Sequence, residues 1–131
     1  KGKGAWCNNK RIRVSKRDEL TSCLIGTGTP FGNRIYSNYY KELNNISRLT
    51  AGVRRLGAAS LDLAYVASGK IDGFWEKDLN LWDVCSGVII VKESGGRVSN
   101  IQGNMWDPKS RDILVSNTLI HKKLIENLTL L

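Results

Sequence analysis

Lys70-Ile71-Asp72-Gly73-Phe74-Trp75-Glu76, followed by Asn80-Leu81-Trp82-Asp83 and an apolar run from Val84 to Val91 that closes at Glu93-Ser94-Gly95-Gly96, is the stretch that decides the fold. Ile71 to Trp75 is a short apolar run ending in a carboxylate, Glu76, and reads as a strand. The next segment reads as a helix from Asn80 or Asp83 to about Ser94. Val88-Ile89-Ile90-Val91 favours a strand on propensity, but Glu93-Ser94-Gly95-Gly96 has the composition of a helix stop. A strand passing directly into a helix is half of a βα crossover, the connection that builds parallel sheets.

The same alternation extends both ways. Ala5-Trp6-Cys7, the turn signal Asn8-Asn9 and the alternating Arg11 to Ser15 predict a β-hairpin. Leu20 to Gly26 suits a buried strand, and Thr27 to Asn33 is a loop by composition. A helix is predicted from about Asn33 to Leu49, with Ile35, Tyr39, Leu43 and Ile46 on one face. Gly52 to Leu56 reads as a strand, and a helix follows from Ala59 to about Ala67 with Gly69 at its end. Arg97 to Asn100 and Asp112 to Ser116 read as strands, and Thr118 to about Leu128 as a closing helix. The predicted class is α/β: a mixed, largely parallel sheet covered by helices, with a short N-terminal β-hairpin.

A chain of 131 residues with 41% hydrophobic content is long enough for one domain with a core. No apolar run approaches the ~20 residues of a membrane span, so no membrane partner is expected. Lys1-Gly2-Lys3-Gly4 has no apolar segment behind it and does not read as a signal peptide; the lack of an initiator Met reads as a fragment or a processed chain. Cys7, Cys23 and Cys85 are widely spaced, odd in number and set among apolar neighbours. They are expected to be buried thiols in a reducing, cytoplasmic setting, with no zinc site and no disulfide framework. The net charge is +8, carried as +9 in residues 1–60 and −1 in residues 61–131. Lys10-Arg11-Ile12-Arg13 and Lys16-Arg17 read as a solvated strand edge, with a nucleic-acid arm as the alternative.

Gly26-Thr27-Gly28-Thr29 and Gly57-Ala58-Ala59-Ser60 both follow strand-like runs, where small residues let an anion approach backbone amides. Walker A, Gly-x-Ser-x-Gly and His-Glu-x-x-His patterns are absent. His121 lies on the closing helix beside two lysines and reads as a surface residue; Asp62 and Asp72 read as surface or turn carboxylates. Glu76 and Asp83 each follow a tryptophan, Trp75 and Trp82, which predicts that both acids enter a sheltered pocket. By spacing alone the alternative stays open that Asp83 is a helix cap and Glu76 a solvated strand end.

The run Arg54-Arg55-Leu56-Gly57-Ala58-Ala59-Ser60-Leu61-Asp62-Leu63-Ala64-Tyr65-Val66-Ala67-Ser68-Gly69-Lys70-Ile71-Asp72-Gly73-Phe74-Trp75-Glu76 resembles the inositol monophosphatase family. Leu81-Trp82-Asp83-Val84-Cys85-Ser86-Gly87 is similar to that family's second signature, Trp-Asp-x-Ala-Ala-Gly, with Cys85 and Ser86 in place of small alanines. Gly4-Ala5-Trp6-Cys7-Asn8 is similar to the family's Gly-x-Gly-Ala-x-x-Asn turn. The resemblance implies that Asp83 ligates a catalytic Mg²⁺, that Glu76 accepts hydrogen bonds from substrate hydroxyls, and that Gly57, Ala58 and Ala59 present backbone to the substrate. A small phosphorylated polyol and magnesium-dependent hydrolysis of a phosphate monoester are implied with it.

The family's Asp-Pro-Leu/Ile-Asp-Gly-Thr segment and an upstream Glu, which carry most of its metal ligands, have no match in this chain. The resemblance is therefore to the C-terminal half only: residues 1–18 as a hairpin belonging to the absent N-terminal part, residues 19–131 as the C-terminal α/β domain. The expectation is an inactive piece of an inositol-1-monophosphatase-like enzyme that associates with its other half and forms a dimer. The alternatives are a sister phosphatase acting on histidinol phosphate, nucleotide 3′-phosphate or fructose bisphosphate, and a basic RNA or transcription-complex binding module.

Overall fold

The deciding strand, β5 (Gly73–Glu76), is the middle member of a five-stranded sheet. The computed structural model describes residues 2–28 and 38–129. Two antiparallel strands, β1 (Ala5–Cys7) and β2 (Lys10–Ile12), come first. Then follow β3 (Leu24–Thr27), α1 (Tyr39–Leu49), β4 (Gly52–Arg54) and α2 (Ala59–Ala67). After β5 come α3 (Leu81–Glu93), β6 (Arg97–Ser99), β7 (Ile113–Ser116) and α4 (His121–Thr129).

The sheet order is β4-β3-β5-β7-β6. β3 is parallel to both β4 and β5, whereas β7 runs antiparallel to β5 and β6. Four strands therefore point one way and β7 alone is reversed, which is the mixed α/β sheet expected. Alternation along the strands splits the core between two faces. Phe74, Ile113 and Val115 pack with Leu63 and Val66 of α2 and Val84, Val88 and Val91 of α3. Trp75, Leu114 and Ile25 pack with Ile46 of α1 and Leu124 and Leu128 of α4. One helix pair thus covers each face.

Asn8 and Asn9, at φ 51° and 65°, form the two-residue hairpin turn that the right-handed strand twist favours. The chain leaves the second strand sooner than alternation suggests, at Ile12 rather than Ser15. Leu20–Ser22 is a 3₁₀ turn, so the strand predicted from Leu20 begins only at Leu24. Of the helix predicted from Asn33, residues 33–37 lie outside the described residues, as do Ile35 and most of the loop before it. The β-branched segment Val88–Val91 is helical, and Gly95 follows α3 at φ +92°, a conformation open to glycine.

Three expectations about side chains are corrected. Asp72 is 1% exposed. Its carboxylate accepts from Arg17 Nη1 at 2.9 Å, from the Leu24 amide at 2.8 Å and from the Ser15 hydroxyl. This network ties residues 15–17 to the sheet, with Asn117 Nδ2 donating to the Arg17 carbonyl at 2.7 Å. His121 is fully buried rather than exposed, hydrogen-bonded to Ser99 at Nε2 (2.7 Å) and to Ser116 at Nδ1 (2.8 Å). Burial, with Arg97 adding to it, lowers its pKa to about 4, so it is neutral. Of the cysteines only Cys23 is buried; Cys7 and Cys85 are exposed because β1 and that side of α3 face solvent.

Candidate functional site

Parallel strands β3 and β5 end at the same side of the sheet, and helices α2 and α3 begin there. In sheets of this kind ligands bind beyond the carboxyl ends of the strands. A cleft of about 410 Å³ lies at that place. Its walls come from Thr27 and Gly28 at the end of β3, Gly57 to Ser60 at the start of α2, Glu76 at the end of β5 with Asp78 beyond it, and Asn80, Trp82 and Asp83 at the start of α3. The two small-residue turns singled out in the sequence thus meet at one cleft, through Gly28 and Gly57–Ser60; Thr29 lies outside the described residues.

Gly57 stands at φ +88°, and among the described residues nothing lies within 4 Å of where a Cβ would be. It is glycine for its backbone, which turns the chain from β4 into α2. Ala58 is the N-cap of α2 and supplies no side-chain hydrogen bond. The first amides of α2 are therefore not capped by that side chain, and the positive end of the helix dipole opens on the cleft. Asp83 lies in the first turn of α3, where Oδ2 accepts from the Asn80 amide at 3.1 Å. Capping and cleft-lining, set apart as alternatives in the sequence, are both roles of this one residue.

Glu76 is half-buried, and its pKa is pushed up to about 7 by burial first and by Asp83 second, with Arg55 opposing. Asp62, expected on the surface, is 1% exposed on the first turns of α2. Burial and then Glu76 push its pKa up to about 7, and among the described residues its Oδ1 has no hydrogen-bond partner. Trp82 lines the cleft at 77% exposure, but Trp75 points through the opposite face of the sheet. There its Nε1 donates to Glu42 Oε1 at 3.1 Å, and Glu42 Oε2 pairs with Lys77 at 2.5 Å. The two tryptophans do not shelter the acids together.

Glu76, Asp83 and the Gly57–Ala59 backbone, predicted as site residues, are brought to one cleft. Asp62, Gly28 and Arg55 line it as well. Asp62 sits three residues after Ala59, one helical turn from the cleft edge, and that spacing was the available signal. Among the described residues no group of three or more His, Cys, Asp or Glu side chains is arranged to hold a metal. The acids present offer hard oxygen donors, which suit Mg²⁺, and Asp83 at the cleft edge fits as one ligand of a larger set.

The model of a family described as the inositol monophosphatase family matches residues 1–130. The chain is 46% identical over 131 residues to "Inositol-1-monophosphatase" of Caulobacter vibrioides, covering 98% of this chain and 51% of that protein. It is 44% identical over 128 residues to "Nus factor SuhB" of Pseudomonas aeruginosa, covering 95% and 47%. A solved inositol monophosphatase from Anabaena superposes with a TM-score of 0.92 at 41% identity, covering 97% of this chain and 51% of that one. The chain spans about half the length of the curated relatives it matches.

Proposed function

The chain belongs to the inositol monophosphatase family, and from that premise we propose that it supplies one wall of the active site of a magnesium-dependent phosphate-monoester hydrolase. The observation that carries this reading is the convergence of Glu76, Asp83 and the Gly57–Ala59 backbone on one cleft at the strand ends. Inositol phosphate is the substrate we favour. Its ring hydroxyls donate to the Glu76 carboxylate, and the amides at the start of α2 donate to substrate oxygens. Asp83 would hold one Mg²⁺, which would supply charge neutralisation for the phosphoryl group and activation of the attacking water. The capping contact of Asp83 Oδ2 with the Asn80 amide supports this role by holding the carboxylate in the first turn of α3.

One carboxylate does not make a Mg²⁺ site, so the rest of the ligand set belongs to the remaining length of the protein. Residues 1–18 we assign to that part and 19–131 to the C-terminal α/β domain. A cytoplasmic homodimer completes the reading.

The test is a substrate panel. The whole protein with Mg²⁺ is expected to hydrolyse inositol 1-phosphate faster than histidinol phosphate, a nucleoside 3′,5′-bisphosphate or fructose 1,6-bisphosphate. Preference for one of those would move the reading to a sister phosphatase. The 131-residue chain alone is expected to give no turnover, and robust magnesium-dependent activity from it would defeat the shared-wall reading. The +8 charge favours, as a second reading, a basic module that binds RNA or a transcription complex, and one relative carries the name Nus factor. A gel shift with RNA at low salt decides it, since phosphate contacts weaken steeply with salt.

A further inference from the structure

Gly28 is not glycine for its backbone, because its φ lies outside the left-handed region. It is glycine for space. A Cβ built there would meet Glu76 Oε1 at 1.9 Å, Cδ at 2.3 Å and Cγ at 2.9 Å. The end of the Glu76 side chain occupies the volume that any other residue at position 28 would fill. We propose that Gly28 is a positioning residue whose missing side chain forms the seat of the Glu76 carboxylate in the cleft. This rests on the reading above that Glu76 receives substrate hydroxyls.

The surroundings explain why the seat has one occupant and one exit. Beneath the cleft is Asp62, buried and with Oδ1 unpartnered among the described residues, itself fitted against Gly26, where a Cβ would stand 2.6 Å from that oxygen. Retreat inward would bring two carboxyl groups together where neither has water to screen it. On the α3 side Asp83 adds like charge, while Arg55 beyond β4 favours the charged carboxylate. An alanine at 28 therefore displaces Glu76 towards the open cleft, where the substrate binds. Its three nearest contacts are all atoms of one side chain and none is backbone, so the Glu76 side chain is what must give.

Two measurements test this. The first needs no activity: thermal melts of this chain as wild type, Gly28→Ala, Glu76→Ala and the double variant. The effect of Gly28→Ala is expected to depend on Glu76, giving a coupled cycle; additive shifts would overturn the seat. The second uses the whole protein with inositol 1-phosphate and Mg²⁺. Gly28→Ala is expected to raise KM about tenfold, the weight of a hydrogen bond to a charged group, with a smaller change in kcat. Glu76→Asp withdraws the carboxylate by one methylene, so the Gly28→Ala, Glu76→Asp double variant should lose less than the product of the single losses. A wild-type KM in Gly28→Ala would overturn the positioning role. Should the whole wild-type protein hydrolyse no phosphomonoester, the functional reading fails while the melts still decide the seat.

Discussion

Two buried groups with opposite proton demands lie within the fold. Asp62 has a pKa raised from 3.8 to about 7. The folded state therefore holds its proton where the unfolded chain has released it, and stability is lost as pH rises from about 4 through 7. His121 has a pKa lowered from 6.5 to about 4, so stability is lost as pH falls through that range. Urea unfolding at pH 4, 6 and 8 should separate them. Asp62→Asn gains on the wild type between pH 4 and 8, and His121→Gln loses less than the wild type between pH 6.5 and 4. Parallel curves would refute both assignments. Glu76 contributes with the sign of Asp62 and sets a common background. Neither burial was legible in the sequence. A histidine next to two lysines looks exposed, and only the register of β6 and β7 brings Ser99 and Ser116 to its two nitrogens. That Glu76 and Asp83 meet at one cleft was legible because their local context carries the motif; among the described residues no group of three or more His, Cys, Asp or Glu side chains is arranged to hold a metal.

α3 shows how packing overrides propensity. Its Val88, Ile89, Ile90 and Val91 favour strand, yet Val84, Val88 and Val91 meet α2 and the sheet only at helical spacing. Gly87 sets the closeness of that contact: a Cβ there would stand 2.4 Å from Leu63 Cδ1 and 2.8 Å from Leu63 Cβ. Gly87→Val is expected to cost about 1–3 kcal/mol, the range for overpacking a filled core, measured by chemical denaturation. A neutral result would mean that the two helices separate freely. The stop at Gly95 was readable because it is local chemistry. The 3₁₀ turn at Leu20–Ser22 was not, since Leu20-Thr21-Ser22 runs on towards β3 with no Gly or Pro to mark a turn. There the Cys23 amide bonds back to the Leu20 carbonyl at 2.9 Å, a choice made by the turn and not by hydrophobicity.

At the scale of the molecule, apolar side chains stand in solvent on the helix pair that borders the cleft. Leu61 is 40% exposed, Leu81 45%, Trp82 77% and Ile89 49%. Exposed apolar area of this kind favours association. Light scattering of this chain should detect association, and Leu61→Lys with Ile89→Lys should return it to monomer; a monodisperse wild type would count against a covering partner. The α/β class, the hairpin and the order of elements followed from alternation in the sequence. The reversed direction of β7 did not, because strand direction depends on where the chain crosses and not on its composition. The Asp72 network has a further consequence for how the chain is made. Asn117 Nδ2 reaches back to the Arg17 carbonyl across 100 residues. At ribosomal speeds of about 5–20 residues per second, that bond waits roughly 5–20 s after Arg17 is synthesised. In order of synthesis the segment made early can pair with Asp72 first and with Asn117 only near the end.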